Sequence, residues 1–217
     1  MGPLGGQDSA SAGRGRPRKR KPVRAMVCTV GMNPPLASVA ATRLEVAAPL
    51  PGDQVVPTAD VVMDRGFDLP APPAEVWPWL LQLGKRRAGW YLPRVVERVV
   101  PPSRRAVRDL RPEWQGLAVG DVVPDWGGAH ATFEVVEIAP PHHLVYRSQR
   151  GRTALTWVIA LRATGEDGTR VHLRLRLAPV RRTRLAHVVG GFFDAVTVAG
   201  MAAGLRERLE DAARSAG

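Results

Sequence analysis

Cysteine is almost missing from this sequence. Cys28 stands alone among 217 residues, so no internal disulfide can form and packing alone must hold the fold. A lone thiol fits a reducing compartment, and a cytoplasmic location is the expectation. Metal-ligand spacing is missing too. His130, His142, His143, His172 and His187 fall at intervals that no common zinc site uses, so no metal is expected. There is no P-loop, no GxGxxG and no GxSxG, which removes the usual signatures of nucleotide, dinucleotide and serine-hydrolase chemistry. No cofactor is expected. Tyrosine and phenylalanine are scarce, at two and four, yet there are six tryptophans, three of them within Ala71–Tyr91.

Acidic residues are also in short supply, and the shortage is uneven. Over half of the net charge of +11 sits in the first 25 residues, where seven Arg or Lys face Asp8 alone. Residues 1–48 read as a disordered basic tail: Gly, Ser, Ala and Pro dominate and no hydrophobic period persists, so too little surface can be buried to offset the ordering entropy. Within it, GRGRPRKRK at Gly13–Lys21 resembles an AT-hook, an arm that lies in the minor groove of A·T-rich DNA. Arg14, Arg16, Arg18 and Lys19 are then candidate nucleic-acid contacts; the alternative is a non-specific polyanion-binding arm. Met26–Ala41 is mildly apolar, but Asn33, Pro34 and Pro35 interrupt it, so it makes a poor secretory signal. The body of the chain carries no nucleic-acid signature.

The stretch APPAEVWPWLLQLGKRRAGWY, Ala71–Tyr91, is the most informative. Pro72 and Pro73 suit a first helical turn, where a missing amide hydrogen costs nothing. Val76, Leu80 and Leu83 recur at helical spacing, Trp77 and Leu81 widen that face, and Gly84 predicts the stop. Pro78 lies past the first turn and predicts a kink. After the helix come Arg86, Arg87, Trp90 and Tyr91. Two readings stand: a core helix followed by a solvated basic turn, or a pocket lip built from Gln82, Arg87, Trp90 and Tyr91.

Downstream, Val61–Leu69 alternates as a strand, and Pro93–Val100 predicts a short second helix carrying Glu97. Pro101–Pro112 reads as a proline- and arginine-containing loop, and Val119-Gly120-Asp121 as a turn before another strand. After this the chain reads as strand up to its last helix. Ala131–Ile138 and Leu144–Ser148 flank a Pro140-Pro141 turn, and Thr153–Leu161 places Leu155, Trp157, Ile159 and Leu161 on one face. Asp167-Gly168 signals a hairpin. The returning strand puts Val171, Leu173, Leu175 and Leu177 on one side, and Arg170, His172, Arg174 and Arg176 on the other, predicting one covered face and one wet, basic face. Thr183–Arg214 reads as a long helix laid on the sheet through Leu185, Val188, Val189, Phe192, Val196, Ala199 and Leu205. Asp194, His187 and four glycines argue against a membrane span.

Chemistry is thinly signalled. Glu97, Glu113, Asp121 and Asp125 are the carboxylates near the predicted pocket, and no two share a spacing that argues for paired acid–base work. Arg87 and Tyr91 are the weak catalytic candidates, as oxyanion partner and acid toward a carbonyl; the alternative is that they bind or pack.

The order strand, helix, short helix, antiparallel strands and long C-terminal helix resembles the START-like helix-grip plan, an α+β fold. AlaProProAlaGluValTrp at Ala71–Trp77 resembles the opening helix of the SRPBCC superfamily. Its continuation through Tyr91, ProGluTrpGln at Pro112–Gln115, ValGlyAsp at Val119–Asp121 and GlyLeuArgGluArg at Gly204–Arg208 resemble one bacterial branch of undefined activity. The likeness runs from about Leu50 to Glu210, so a ligand-binding domain over residues 49–214 is expected. It implies a curved antiparallel sheet wrapped around the C-terminal helix, with a cavity for a hydrophobic, lipid- or polyketide-like ligand between them. Trp90, Tyr91, Trp114, Phe133, Trp157 and Phe192 are the implied cavity lining. A cofactor-independent cyclase or dehydratase acting in the same cavity, and a DNA-associated protein using the basic arm, are the alternatives. One departure from the pattern is visible: Leu92-Pro93 follows Tyr91, where the resemblance leads one to expect a Ser and an acidic residue.

Overall fold

A computed structural model describes residues 39–128 and 130–216. Cys28 and the candidate nucleic-acid contacts Arg14, Arg16, Arg18 and Lys19 lie outside the described residues.

Alternation in the sequence becomes one antiparallel sheet of six strands: β1 (Val61–Leu69), β2 (Val122–Pro124), β3 (Thr132–Ala139), β4 (His143–Arg150), β5 (Thr153–Ala163) and β6 (Thr169–Ala178), in the order β1-β6-β5-β4-β3-β2. Register sets the inner face. Val135, Tyr146, Trp157, Leu175 and Met63 pair in succession from β3 to β1 and form one row across it. A bulge between Val135 and Glu137 bends β3.

A short helix, α1 (Arg43–Ala47), precedes β1, and α2 (Pro73–Gln82) and α3 (Arg94–Glu97) lie between β1 and β2. The long C-terminal helix begins as α4 (Thr183–Leu185), loosens into a π-turn at Ala186–Gly190, and continues as α5 (Gly191–Ala216). This is the helix-grip, α+β arrangement expected from the sequence. Pro78 sits inside α2 without ending it. Gly84 follows the helix at φ 142°, and a side chain there would meet Val123 of β2 at 2.6 Å.

The grip is made by the second half of α5. Val198, Met201, Ala202, Leu205 and Leu209 are buried against α2 and the sheet. Two glycines allow the approach: a methyl on Gly204 would sit 2.5 Å from the Leu92 nitrogen, and one on Gly200 would sit 2.9 Å from the Leu92 side chain. Arg208 is fully buried there. It donates to the carbonyls of Leu92, Gly204 and Val107, pairs with Glu97 at 2.7 Å and stacks 4.7 Å above the Tyr91 ring.

Three expectations need correction. The first is the apolar stripe. Leu185, Val188, Val189, Phe192 and Val196 do not cover the sheet; all are exposed, Val188 by 72%. The stripe runs unbroken along the helix, but the chain buries only its later turns. Thr183–Ser215 has the length and hydropathy to cross a membrane, yet its C-terminal half carries core residues and the buried Arg208.

The second correction is the wet face of β6. His172 and Arg174 are buried, at 6% and 3% exposure, because residues 39–57 lie across that face. Arg174 donates to the carbonyls of Glu45, Val46 and Ala48 and pairs with Asp53 and Asp64; Arg176 donates to the carbonyls of Val56 and Pro57; Arg170 pairs with Glu45 at 2.7 Å. Asp64 of β1 also accepts from His172 at 2.7 Å. Buried cations are tolerable because each is paired or hydrogen-bonded.

The third follows from the second. The tail was expected to run to residue 48, but Val39 is in the core, Ala40 bridges to Arg65, and α1 is closed by a Thr42–Glu45 capping box. The folded body therefore includes residues 39–48.

Candidate functional site

The loop after α2 is built tightly. Gly84 and Gly89 exchange two backbone hydrogen bonds, of 2.9 and 3.3 Å, and a side chain on Gly89 would touch Ala106 at 3.0 Å. Between them Arg86 takes the left-handed conformation, φ 62°, which residues other than glycine rarely adopt. The loop points Trp90 at the inner face of the sheet and leaves Lys85 and Arg86 outside the core.

Trp90 begins an aromatic wall. Its indole nitrogen donates to the Thr197 carbonyl of α5 at 3.1 Å, and its ring lies 6.2 Å from Trp157 and 6.1 Å from Trp126. Trp157 stacks on Tyr146 at 5.7 Å, as their cross-strand pairing requires, and Phe133 packs edge-on to Tyr146 at 5.7 Å. Arg150 rests 5.2 Å above the Phe133 ring and pairs with Asp125.

Two neighbouring spaces follow this wall. The outer one, about 480 Å³, is lined by Trp90, Asp125, Trp126, Gly127, Phe193 and Thr197, between the β2–β3 loop and α5. The inner one, about 40 Å³, shares Trp90, Asp125 and Trp126 and reaches Phe133, Tyr146 and Trp157. Tyr146 is buried, and burial raises its phenol above the usual range. Its hydroxyl finds no hydrogen-bond partner among the described residues. A larger concavity, about 730 Å³, lies across the sheet between α1 and β5. Of its charged groups Glu45 and Arg170 are spent on each other and Arg162 is exposed, and it has no aromatic wall.

The expected lip is placed differently from the expectation. Gln82 is fully buried and ties α2 to the following loops: it donates to the Asp109 carbonyl and accepts from the Arg111 amide. Arg87 donates to the carbonyls of Leu81 and Trp114. The Tyr91 hydroxyl, fully buried, donates to the Trp79 carbonyl at 2.8 Å, and burial pushes its acidity well out of the physiological range. These three groups serve the scaffold, not the cavity. As catalytic candidates, the Tyr91 hydroxyl and Arg87 Nη2 are therefore committed to main-chain carbonyls, while Arg87 Nε is buried with no partner among the described residues. Trp114 packs on the core near Arg87 and does not line the cavity. Phe192 lines neither space; its neighbour Phe193, itself 69% exposed, borders the outer one. Trp90, Phe133 and Trp157 line the inner space.

Among the carboxylates, Glu97 is buried under Arg108 and Arg208, Glu113 is exposed, and Asp121 caps its own turn at the Ala118 amide. Asp125 alone of the four reaches the pocket. The residues that sequence reasoning missed are Trp126, Tyr146 and Phe193. Trp126 had a signal, a tryptophan set in the glycine-rich AspTrpGlyGly turn; the other two look like ordinary core positions. No group of metal-ligating side chains occurs among the described residues.

A family model described as polyketide cyclase / dehydrase and lipid transport matches residues 59–217. Among curated proteins, none matches the chain. Solved structures similar to it include CalU16 from Micromonospora echinospora, 20% identical, covering 69% of this chain and 84% of that one at a TM-score of 0.41. DynU16, a protein of the dynemicin biosynthetic locus, is 16% identical and covers 69% and 47%, at 0.43. A point mutant of Thalictrum flavum norcoclaurine synthase, bound to a transition-state analogue, is 14% identical and covers 70% and 94%, at 0.43.

Proposed function

Because the chain belongs to the polyketide cyclase / dehydrase and lipid transport family, we propose that it binds a hydrophobic small molecule in the space between the sheet and the C-terminal helix. The observation that carries this reading is the aromatic wall. From Trp126 through Trp90, Trp157 and Tyr146 to Phe133, each ring lies within 6.2 Å of the next, and the wall opens outward beside Phe193. An outer space of about 480 Å³ suits a molecule of drug or fatty-acid size. Aromatic faces give large apolar contact with little loss of side-chain freedom. The unpartnered Tyr146 hydroxyl supplies a polar group to orient what enters.

Binding is preferred to turnover for a reason of geometry. A cyclase or dehydratase needs a positioned acid or base, and Arg87 and Tyr91 spend theirs on main-chain carbonyls. What faces the space is the Tyr146 phenol, raised by burial, and Asp125, held by Arg150. The phenol donates a hydrogen bond more readily than it gives up its proton, and the carboxylate, an acceptor only, is engaged by Arg150. Nucleic-acid binding forms no part of the proposal, since the family match begins at residue 59, beyond the basic arm.

The test is titration with N-phenyl-1-naphthylamine, a neutral apolar fluorophore, read by its emission and by energy transfer from tryptophan. Saturable binding of one probe per chain, weakened about tenfold or more in Trp157→Ala, is expected. Emission that rises without saturating, or is indifferent to Trp157→Ala, overturns the reading.

A further inference from the structure

Beside the aromatic pocket, and sharing Trp126 with it, is a second bowl of about 470 Å³ lined by Lys85, Arg86, Arg87, Ser103, Arg104 and Arg105. What sets it apart is crowding: its five cations line one space with no acid among them. The buried arginines Arg174 and Arg208, by contrast, each have a carboxylate within ion-pair distance. Among the described residues, none of the five cations of the bowl does, and no carboxylate lines it. Lys85, Arg87 and Arg105 donate to main-chain carbonyls, of Asp125, Leu81 and Val100 among others. A carbonyl satisfies an N–H but leaves the positive charge unneutralised. Arg86 and Arg104 are exposed, and their side chains make no hydrogen bond among the described residues. Arg86 is held in the left-handed conformation that only a tight loop would impose, and such departures gather where function requires them.

Crowded like charges repel, and here the fold provides no acid to relieve them. We propose that an anion does: the ligand is an apolar molecule ending in an oxyanion, a carboxylate or a phosphate. Its body lies along Trp90 and Phe193, it crosses the half-exposed Trp126, and its head sits among Arg86, Arg104 and the Ser103 hydroxyl. Guanidinium and hydroxyl donors match the lone pairs of such a head, and charge-assisted hydrogen bonds are the strong kind. This inference rests on the proposed cavity and adds the class of molecule that fits it.

The experiment is displacement of N-phenyl-1-naphthylamine from the full chain by decanol, decanoate and decyl phosphate, which share a tail and differ in the head. Decanoate, decyl phosphate or both should displace the probe at roughly tenfold lower concentration than decanol, the scale of one charge-assisted hydrogen bond. Which anion is stronger identifies the head. Raising salt to about 0.5 M should shrink the preference, since these charges face solvent. The double variant Arg86→Asn/Arg104→Ser should lose the preference while decanol displaces as before; asparagine tolerates the left-handed backbone at residue 86. Equal displacement by all three in the native chain overturns the anionic head and leaves the apolar cavity standing, as does a preference that survives in the double variant. If the probe itself does not bind, both readings fall together.

Discussion

Phe192 and Phe193 are chemically identical neighbours, and the fold gives only the second a wall of the pocket. Phe193→Ala should therefore weaken N-phenyl-1-naphthylamine binding about three- to tenfold, the scale of one aromatic contact at about 0.5–1.5 kcal/mol. Phe192→Ala should leave it unchanged within error. The same titration checks both, and equal effects would show that Phe193 acts only as part of a greasy surface. The sequence points to Phe192 instead. A helical stripe identifies a face to within about one position, and a neighbour 100° around the helix changes sides with a small rotation. Gln82, Arg87 and Tyr91 illustrate the complementary difficulty. Their types and their place at a helix end suggested a ligand, yet polar side chains there answer first to unsatisfied main-chain groups. Trp90, Phe133 and Trp157 were legible because large aromatics on an inward strand face or a glycine-bounded loop have few other places to go.

Elements were read more reliably than side chains where alternation or caps carried them. Strands β1, β5 and β6 and helix α2 follow directly from period and from proline and glycine placement, whereas α1 gives five residues with no buried side chain of its own and too little pattern to notice. What holds α1 is electrostatic. Arg170 grips Glu45 and lowers its carboxyl to about 2 from an ordinary 4.5, against the opposing effect of burial. The folded state thus binds this proton more weakly than the unfolded chain does, so the contribution to stability is complete above about pH 4.5 and is lost as pH falls toward 2. Carbon-detected NMR of the Glu45 carboxyl should give a midpoint near 2 that moves up toward 4.5 in Arg170→Ala; a native midpoint already near 4.5 would mean the pair does not hold α1. At the other end of the chain, the Gly204 contact predicts an unusual sign. Alanine is the better helix former by about 1 kcal/mol. Yet Gly204→Ala should destabilise by about 1–3 kcal/mol in urea unfolding, because the new methyl meets the backbone of Tyr91 and Leu92, which cannot swing aside. A neutral or stabilising result would show that α5 docks more loosely than these distances imply.

For the molecule as a whole, the resemblance to a helix-grip protein captured the layer of sheet and helix but left the back of the sheet bare. The alternation of β6 correctly separated leucines from arginines. It assigned the arginines to water because charge outside and apolar inside is the common case. Here they are the anchor points for residues 39–57, and the partners, mostly carbonyl oxygens, carry no sequence signal at all. The consequence is measurable by comparing two chains, one beginning at Val39 and one beginning at Pro49, the boundary that composition suggests. The shorter chain loses the buried Val39, worth about 1.5–3 kcal/mol by transfer. It also leaves Arg170 without Glu45, and the buried Arg174 without three of its acceptors. Stripping partners from a buried cation costs more than the pair contributed, because the charge remains and its solvation does not. We expect the chain from Pro49 to melt at least about 6 °C below the chain from Val39, taking about 2–4 °C per kcal/mol for a domain of this size. The aromatic pocket faces the other side of the sheet, so the probe should still bind the shorter chain below its melting point. Equal melting temperatures would return residues 39–48 to the tail; loss of probe binding in a chain that remains folded would mean that the two faces of the sheet are coupled.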